Sequence, residues 1–224
     1  LILEKYTFQN SKDFLIIKNI LKKNKIKTWV NCPLRYMKDY INLKKKFNKK
    51  KFHIDIKGGN WNMASTMVHY IDLFCFYLDD TNFKFIKNKL NKKIILSKHK
   101  GCLEVNGSIK LMSKNGSTLT MTDDNKNTPI KINFFYNNGT STIFWKKNII
   151  KTINLSNKKI IYKKFKTVNI SDLTHHYIEE IIYKNKINLP TLNESSEIQV
   201  KILNFLSIFF KQILKKNIKN CPIT

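Results

Sequence analysis

A histidine inside an apolar helical run is the first residue of this sequence with chemistry to offer. The 22 residues from Gly59 to Asp80, GNWNMASTMVHYIDLFCFYLDD, open on a Gly-Asn turn signal and continue with helical periodicity. His69 and Asp72 lie three positions apart, on one helix face, so both can point into one cavity. Met63, Met67, Tyr70, Ile71, Phe74 and Leu78 supply the apolar surface around them. Such a histidine is either a satisfied core residue or a catalytic acid/base, and the helix alone leaves both open. Asn60, Trp61 and Asn62 precede it. They suit a sugar, by ring stacking and paired hydroxyl bonds, or else form a packed turn. Arg35 is the only arginine in the chain and fits an anion contact or a structural salt bridge.

Other reactive residues are less organised. His175-His176 has only Glu179 and Glu180 nearby, and His53 and His99 have no companions, so no metal site is expected. Cys32, Cys75, Cys102 and Cys221 show no C-x-x-C spacing, which speaks against a zinc site or a disulfide scaffold and for free thiols in a reducing cytosol. No G-x-G-x-x-G occurs, and Gly58-Gly59 is too short to replace it; the chain by itself is not expected to bind a dinucleotide tightly.

Composition narrows the class. With 224 residues, 42% hydrophobic and 12% aromatic, the chain can fill a globular core. Lys201, Asn204, Lys211 and Gln212 interrupt its longest apolar stretch, 198–214, so no membrane span is expected. The formal charge of +27 invites a nucleic-acid reading. Against it, the lysines are scattered through every segment and arginine, the residue suited to bidentate phosphate and base contacts, is nearly absent. The charge still favours anionic substrates and cofactors. Leu1 is not a methionine, which reads as a piece of a longer chain.

The elements that must hold these residues follow in order. Residues 1–3 read as the end of a buried strand. Ser11 is expected to cap a helix to about Lys23, and residues 26–32 (IKTWVNC) read as a second strand, giving a βαβ unit with parallel pairing. Pro33 opens a helix over 34–47. Residues 48–51 form a basic loop and 52–57 a strand. Strands are then expected over 93–98, 102–113, 118–122, 130–136, 140–146 and 159–165, with Asn-Gly hairpin turns at 114–117 and 137–139. That makes a mostly antiparallel sheet of five or six strands, one face covered by helices and the other free for an oligomer contact. Ser171 caps a helix to about Lys184, residues 189–191 turn, and a last helix starts at Asn193 or Ser195.

Taken together, the joints of these elements resemble the Gfo/Idh/MocA family of NAD(P)-dependent sugar oxidoreductases. Leu3-Glu4-Lys5-Tyr6 resembles the family's E-K-P motif at a Rossmann strand end. Trp29-Val30-Asn31-Cys32-Pro33, with Arg35 and Tyr40, resembles its next strand and crossing helix. His69-Tyr70-Ile71-Asp72-Leu73 resembles the D-x-x-x-H helix and its tail, and Leu189-Pro190-Thr191-Leu192 the approach to the final helix. The resemblance implies an α+β fold: residues 1–33 as the remnant of a Rossmann domain, and 34–224 as a dihydrodipicolinate-reductase-like substrate domain with a mostly antiparallel open sheet. It places the dinucleotide loop roughly 80–90 residues upstream. It implies hydride transfer between NAD or NADP and a sugar or sugar nucleotide, by an enzyme whose 224-residue portion alone is inactive. Lys5 polarises and orients the reacting hydroxyl and His69 moves its proton. Glu4, Lys5 and Arg35 meet the cofactor; Asn60, Trp61, Asn62, Ser65 and Asp72 line the substrate. Two residues depart from the pattern: Tyr6 stands at the family's proline, and Ser65 at the carboxylate of D-x-x-x-H. The partners expected are a sugar substrate and further copies of the chain through the open sheet face, in the cytoplasm, with no nucleic acid or membrane. The rivals are a substrate-domain scaffold without catalysis and a basic nucleic-acid-binding domain.

Overall fold

The computed structural model describes residues 1–47, 50–166 and 170–223, the side chains of residues 170 and 171 excepted. The chain opens with strand β1 (Ile2–Leu3), helix α1 (Ser11–Lys23) and strand β2 (Trp29–Val30). β1 and β2 pair in parallel, Ile2 opposite Trp29 and Leu3 opposite Val30. The strand expected over 26–32 contracts to two residues because β1 offers only two to pair with; Val30 N–H turns to the Pro190 carbonyl at 3.0 Å instead. Asn10, not Ser11, caps α1, its side chain accepting from Asp13 N–H at 2.8 Å.

The helix expected over 34–47 divides. Pro33–Tyr36 form a 3₁₀ turn, Met37 is extended, and α2 (Lys38–Phe47) follows. Next come β3 (His53–Gly58) and α3 (Met63–Leu78). The strands after them are β4 (Phe83–Leu90), β5 (Ile95–Leu96), β6 (Leu103–Glu104), β7 (Gly107–Ser113), β8 (Thr118–Asp123), β9 (Lys131–Tyr136), β10 (Gly139–Phe144), β11 (Ile149–Asn154) and β12 (Ile160–Lys164). Helices α4 (Ile170–Lys184) and α5 (Leu192–Leu214) close the chain. Ser171, expected as the cap of α4, falls within the helix, and its side chain lies outside the described residues. The start of α5 is set by neither Asn193 nor Ser195: Thr191 caps it in a reciprocal box with Glu194.

Among the described residues the main sheet has eight strands rather than five or six, in the order β12-β11-β10-β9-β3-β8-β7-β4. β3 pairs in parallel with β8; its other neighbours and the remaining pairs are antiparallel. The period of two puts Ile54, Ile56, Ile109, Leu111, Leu119, Met121, Ile132, Phe134 and Ile143 on one buried face. α3 covers that face and is itself covered by α5, which is why it is apolar nearly all round. Phe14, Val30 and Cys32 join the same continuous core. On the opposite face, His53 stacks on Phe135 at 5.6 Å among Lys57, Lys110 and Lys131. The run expected as one strand over 102–113 breaks at Val105 and Asn106, ahead of Gly107, which opens β7 at a φ of 106°; β6 pairs with β5 and only β7 joins the main sheet. That break delivers Glu104 to the start of α3. Among the described residues no helix is long and apolar enough to cross a membrane.

Candidate active site

α3 begins without a side chain of its own to cap it. Asn62, in the left-handed region at φ 56°, makes no capping bond, and no acidic residue lies in the first turn. Its exposed first N–H groups therefore need an acceptor from elsewhere. Glu104 supplies it: its buried carboxylate accepts from Ala64 N–H at 2.8 Å and Ser65 N–H at 3.4 Å. Two residues beyond β1 reach the same turn. Lys5 Nζ donates to the Ser65 carbonyl at 2.7 Å and the Tyr6 hydroxyl donates to the Ala64 carbonyl at 2.9 Å. Thr7 N–H donates to Gln199 Oε1 on α5 at 2.9 Å. Tyr6, where the resembled motif has proline, thus fixes this segment by docking on α3.

His69 follows Ser65 by one helical turn and faces the same side. Its Nδ1 is enclosed and has no hydrogen-bond partner among the described residues. Burial pushes its pKa down to about 3, and the Lys5 ammonium pushes the same way, so the ring is neutral at neutral pH. Lys5 is lowered by burial, against pulls from Cys32, Glu104 and Glu4. Glu104 is raised by burial, against its bonds to the Ser65 side chain and to the Ala64 and Ser65 amides and the Lys5 charge. Neutral imidazole, ammonium and carboxylate meet where the carboxyl ends of the parallel pair β1–β2 abut α3, the edge at which α/β sheets bind ligands.

Asp72 does not share a cavity with His69. Its carboxylate takes a bidentate fork from Arg35, Nε to Oδ2 at 2.9 Å and NH2 to Oδ1 at 2.7 Å. Arg35 NH1 reaches Glu194 at 3.3 Å. Burial pushes Asp72 up to about 6, with Arg35 pulling against it. Arg35 is 5% exposed and Asp72 1%, so the expected cofactor contact of Arg35 and substrate contact of Asp72 give way to a clamp joining the 3₁₀ turn, α3 and α5. Trp61 is 7% exposed, bonds Thr122 O through Nε1 at 3.1 Å and packs edge-on against Tyr70, the arrangement of a packed turn. Asn60 and Asn62 are exposed beside α3. Asp123 shapes that loop by accepting from Asn60 N–H at 2.9 Å and Trp61 N–H at 3.0 Å. Gly59 is required there, since a Cβ would lie 1.9 Å from the Lys126 carbonyl oxygen. Glu4 is exposed and accepts from Asn31 Nδ2 at 2.7 Å. Ser65 Oγ donates to the Asn62 carbonyl at 3.1 Å.

Glu104 and Asp123 are the residues that sequence reasoning passed over. Each is an acidic residue within or closing a β-rich run, and a charge in that setting needs a partner. Among the described residues no cluster of three His, Cys, Asp or Glu could hold a metal ion, and the four cysteines are free and buried. A groove of about 400 Å³ between α1 and the start of α5 is lined by Lys18, Lys22 and Trp29 and lies apart from Lys5 and His69.

No family model matches the sequence, and no curated protein does. Solved structures share its fold at low identity. A Gfo/Idh/MocA family oxidoreductase from Vibrio cholerae is 11% identical with a TM-score of 0.62, over 96% of this chain and 71% of that one. The UDP-N-acetylglucosamine 3-dehydrogenase GnnA from Acidithiobacillus ferrooxidans is 7% identical with a TM-score of 0.62, over 90% and 69%. An oxidoreductase from Agrobacterium radiobacter, in complex with NAD+, L-tartaric acid and magnesium, is 10% identical with a TM-score of 0.62, over 90% and 68%. The chain has the fold of the Gfo/Idh/MocA oxidoreductases, over the C-terminal portion of their length.

Proposed function

We propose that this chain is the substrate-side portion of an NAD(P)-dependent oxidoreductase of the Gfo/Idh/MocA type, acting on a hydroxyl or keto carbon of a sugar or sugar nucleotide. The observation that carries this reading is the convergence of Lys5 and His69 on one side of α3, at the carboxyl edge of a parallel strand pair. Residues 1–33 then belong to the dinucleotide domain and 34–224 to the substrate domain.

The residues present fit only the nicotinamide end of such a cofactor. Glu4 and Lys5 lie at the strand edge, Arg35 is committed to Asp72, and no glycine-rich phosphate loop occurs in the 224 residues. The bound cofactor would supply the hydride acceptor or donor. In the oxidising direction His69 accepts the hydroxyl proton. Nδ1 is enclosed, so Nε2 is the nitrogen that faces substrate. The Lys5 ammonium hydrogen-bonds the oxygen as negative charge develops on it, in a site where burial strengthens that interaction. His69 is neutral at rest and so has a free ring nitrogen, and its pKa, held near 3 by burial and by Lys5, must rise when substrate binds for it to act as an effective base. Asn60 and Asn62, exposed beside α3, contact sugar hydroxyls, and the scattered lysines favour an anionic substrate. The open sheet face joins copies of the protein.

The test offers the intact protein a panel of sugar nucleotides with NAD+ and with NADP+ and follows nicotinamide absorbance. Reduction with one member is the expected result. Folded protein that turns over none of them, in either direction, overturns the proposal.

A further inference from the structure

Position 65 holds a serine where the resembled motif holds a carboxylate, yet a carboxylate reaches the same turn from a distant strand. Glu104 is 5% exposed and bonds the Ala64 and Ser65 amides at 2.8 and 3.4 Å. The Ser65 carbonyl takes Lys5 Nζ at 2.7 Å. One residue of α3 thus carries the anion on its N–H and the cation on its C=O, and His69 stands one turn further on. The backbone of Glu104 is fixed on both sides. It pairs with Ile95 in β5, and the preceding Leu103 N–H donates to the Pro222 carbonyl at 2.6 Å. A carboxylate this buried is not an accident of a surface loop; it needs the amides at one end and a cation nearby to be stable as an anion.

We propose that Glu104 is a positioning residue of the site, supplying from β6 the negative charge that position 65 lacks and holding Lys5 as an ammonium aimed at the reacting oxygen. This rests on the oxidoreductase reading above and deepens it. The groups that face Lys5 are Glu4 beside it, Tyr6, Cys32 at the end of β2, His69 on α3 and Glu104 on β6. Burial of Cys32 holds its thiol in the neutral form, and His69 is neutral. Glu4 is exposed and engaged by Asn31, so water screens it. Glu104 is the buried anion of the set. Without it Lys5 loses the counter-charge that opposes its desolvation, and its pKa falls.

The experiment is Glu104→Gln in the intact protein. The amide oxygen of glutamine can still accept from Ala64 N–H, so the start of α3 is kept while the charge is removed. Lysine side chains carrying a ¹³C label at Cε are titrated by NMR, with the Lys5 signal assigned by its loss in Lys5→Met. The expected result is a downward shift of the Lys5 pKa, with recovery in the double variant Glu104→Gln/Ser65→Asp. The alkaline limb of the sugar-nucleotide pH profile moves to lower pH with it. A role confined to capping α3 would leave the Lys5 titration unmoved, and that result overturns the proposal. If Glu104→Gln fails to fold, Ser65→Asp alone asks the same question from the other side. The Lys5 pKa then rises, and an unchanged value again overturns it. Because the titration needs no substrate, it reports on Glu104 even if the whole panel fails and the oxidoreductase reading falls.

Discussion

Two buried charge clusters sit on α3 about two turns apart, and they are built oppositely. At Asp72 the cation is an arginine that meets two carboxylates through all three of its nitrogens: two bonds to Asp72 and one to Glu194. At Ser65 the cation is a lysine that, among the described residues, has one bond, to a backbone carbonyl, beside a histidine whose Nδ1 has no partner among them. Arginine presents five donors in a rigid fork, and once these meet carboxylates the group is a bolt. Lysine is a point charge with three rotatable donors, and one occupied by a carbonyl leaves others for a ligand. The difference separates a fastener from a site without any appeal to the identity of a substrate.

Breaking the two clusters should therefore give different kinds of loss. His69→Ala in the intact protein should lower kcat by about two to four orders of magnitude, with the unfolding midpoint little changed. Wild-type turnover in that variant would remove His69 from the chemistry. Arg35→Met should act on stability instead, because it strands Asp72 as a buried unpaired carboxylate. A loss of about 3–5 kcal/mol is expected by urea denaturation. Arg35→Met/Asp72→Leu should recover much of it, and a double variant no more stable than the single one would mean that the clamp is not what the pair provides.

The smallest effect sharpens the comparison through pH. The His69 pKa in the folded chain, about 3, lies below the unfolded value near 6.5. Between those values the unfolded chain binds a proton that the folded chain does not, so stability falls as pH drops through that window. The slope attributable to His69 is at most about 1.4 kcal/mol per pH unit. Measured as the difference between wild type and His69→Gln, it should vanish above about pH 7. Equal pH slopes in the two proteins would place His69 in a more solvated setting than the structure gives it.

Much of the architecture could be read from the residues. Strict alternation around two Asn-Gly turns gave the β7–β8 and β9–β10 hairpins, and the apolar run gave α3. β4 escaped because its period of two is broken by a bulge between Phe85 and Lys87, so its lysines no longer mark one face. β11 escaped because IIKTIN opens with two adjacent isoleucines and does not alternate cleanly, so that its partners β10 and β12 are needed to tell strand from loop. The candidate site was legible only where a local pattern carried it, as for His69 on its helix and for Lys5 at its strand end. Glu104 was hidden by a run that reads as one strand over 102–113. The break at Val105 and Asn106, with the positive φ of Gly107 just after it, leaves Glu104 outside the main sheet and beside α3. The fate of Arg35 was undecidable for a related reason: an ion pair across 37 residues leaves no local trace, and burial decides whether the guanidinium meets a ligand or a neighbour.

The segment just after β1 has a mechanical consequence. Lys5 and Tyr6 are bonded to α3 and Thr7 to α5, three consecutive residues with no slack between them. A chain crossing of that kind cannot serve as a pivot, since a pivot needs residues free to change φ and ψ. Any tilt of β1 is transmitted directly to the helix that carries His69. Lys5 and the helix turn that carries His69 are therefore tied into one piece.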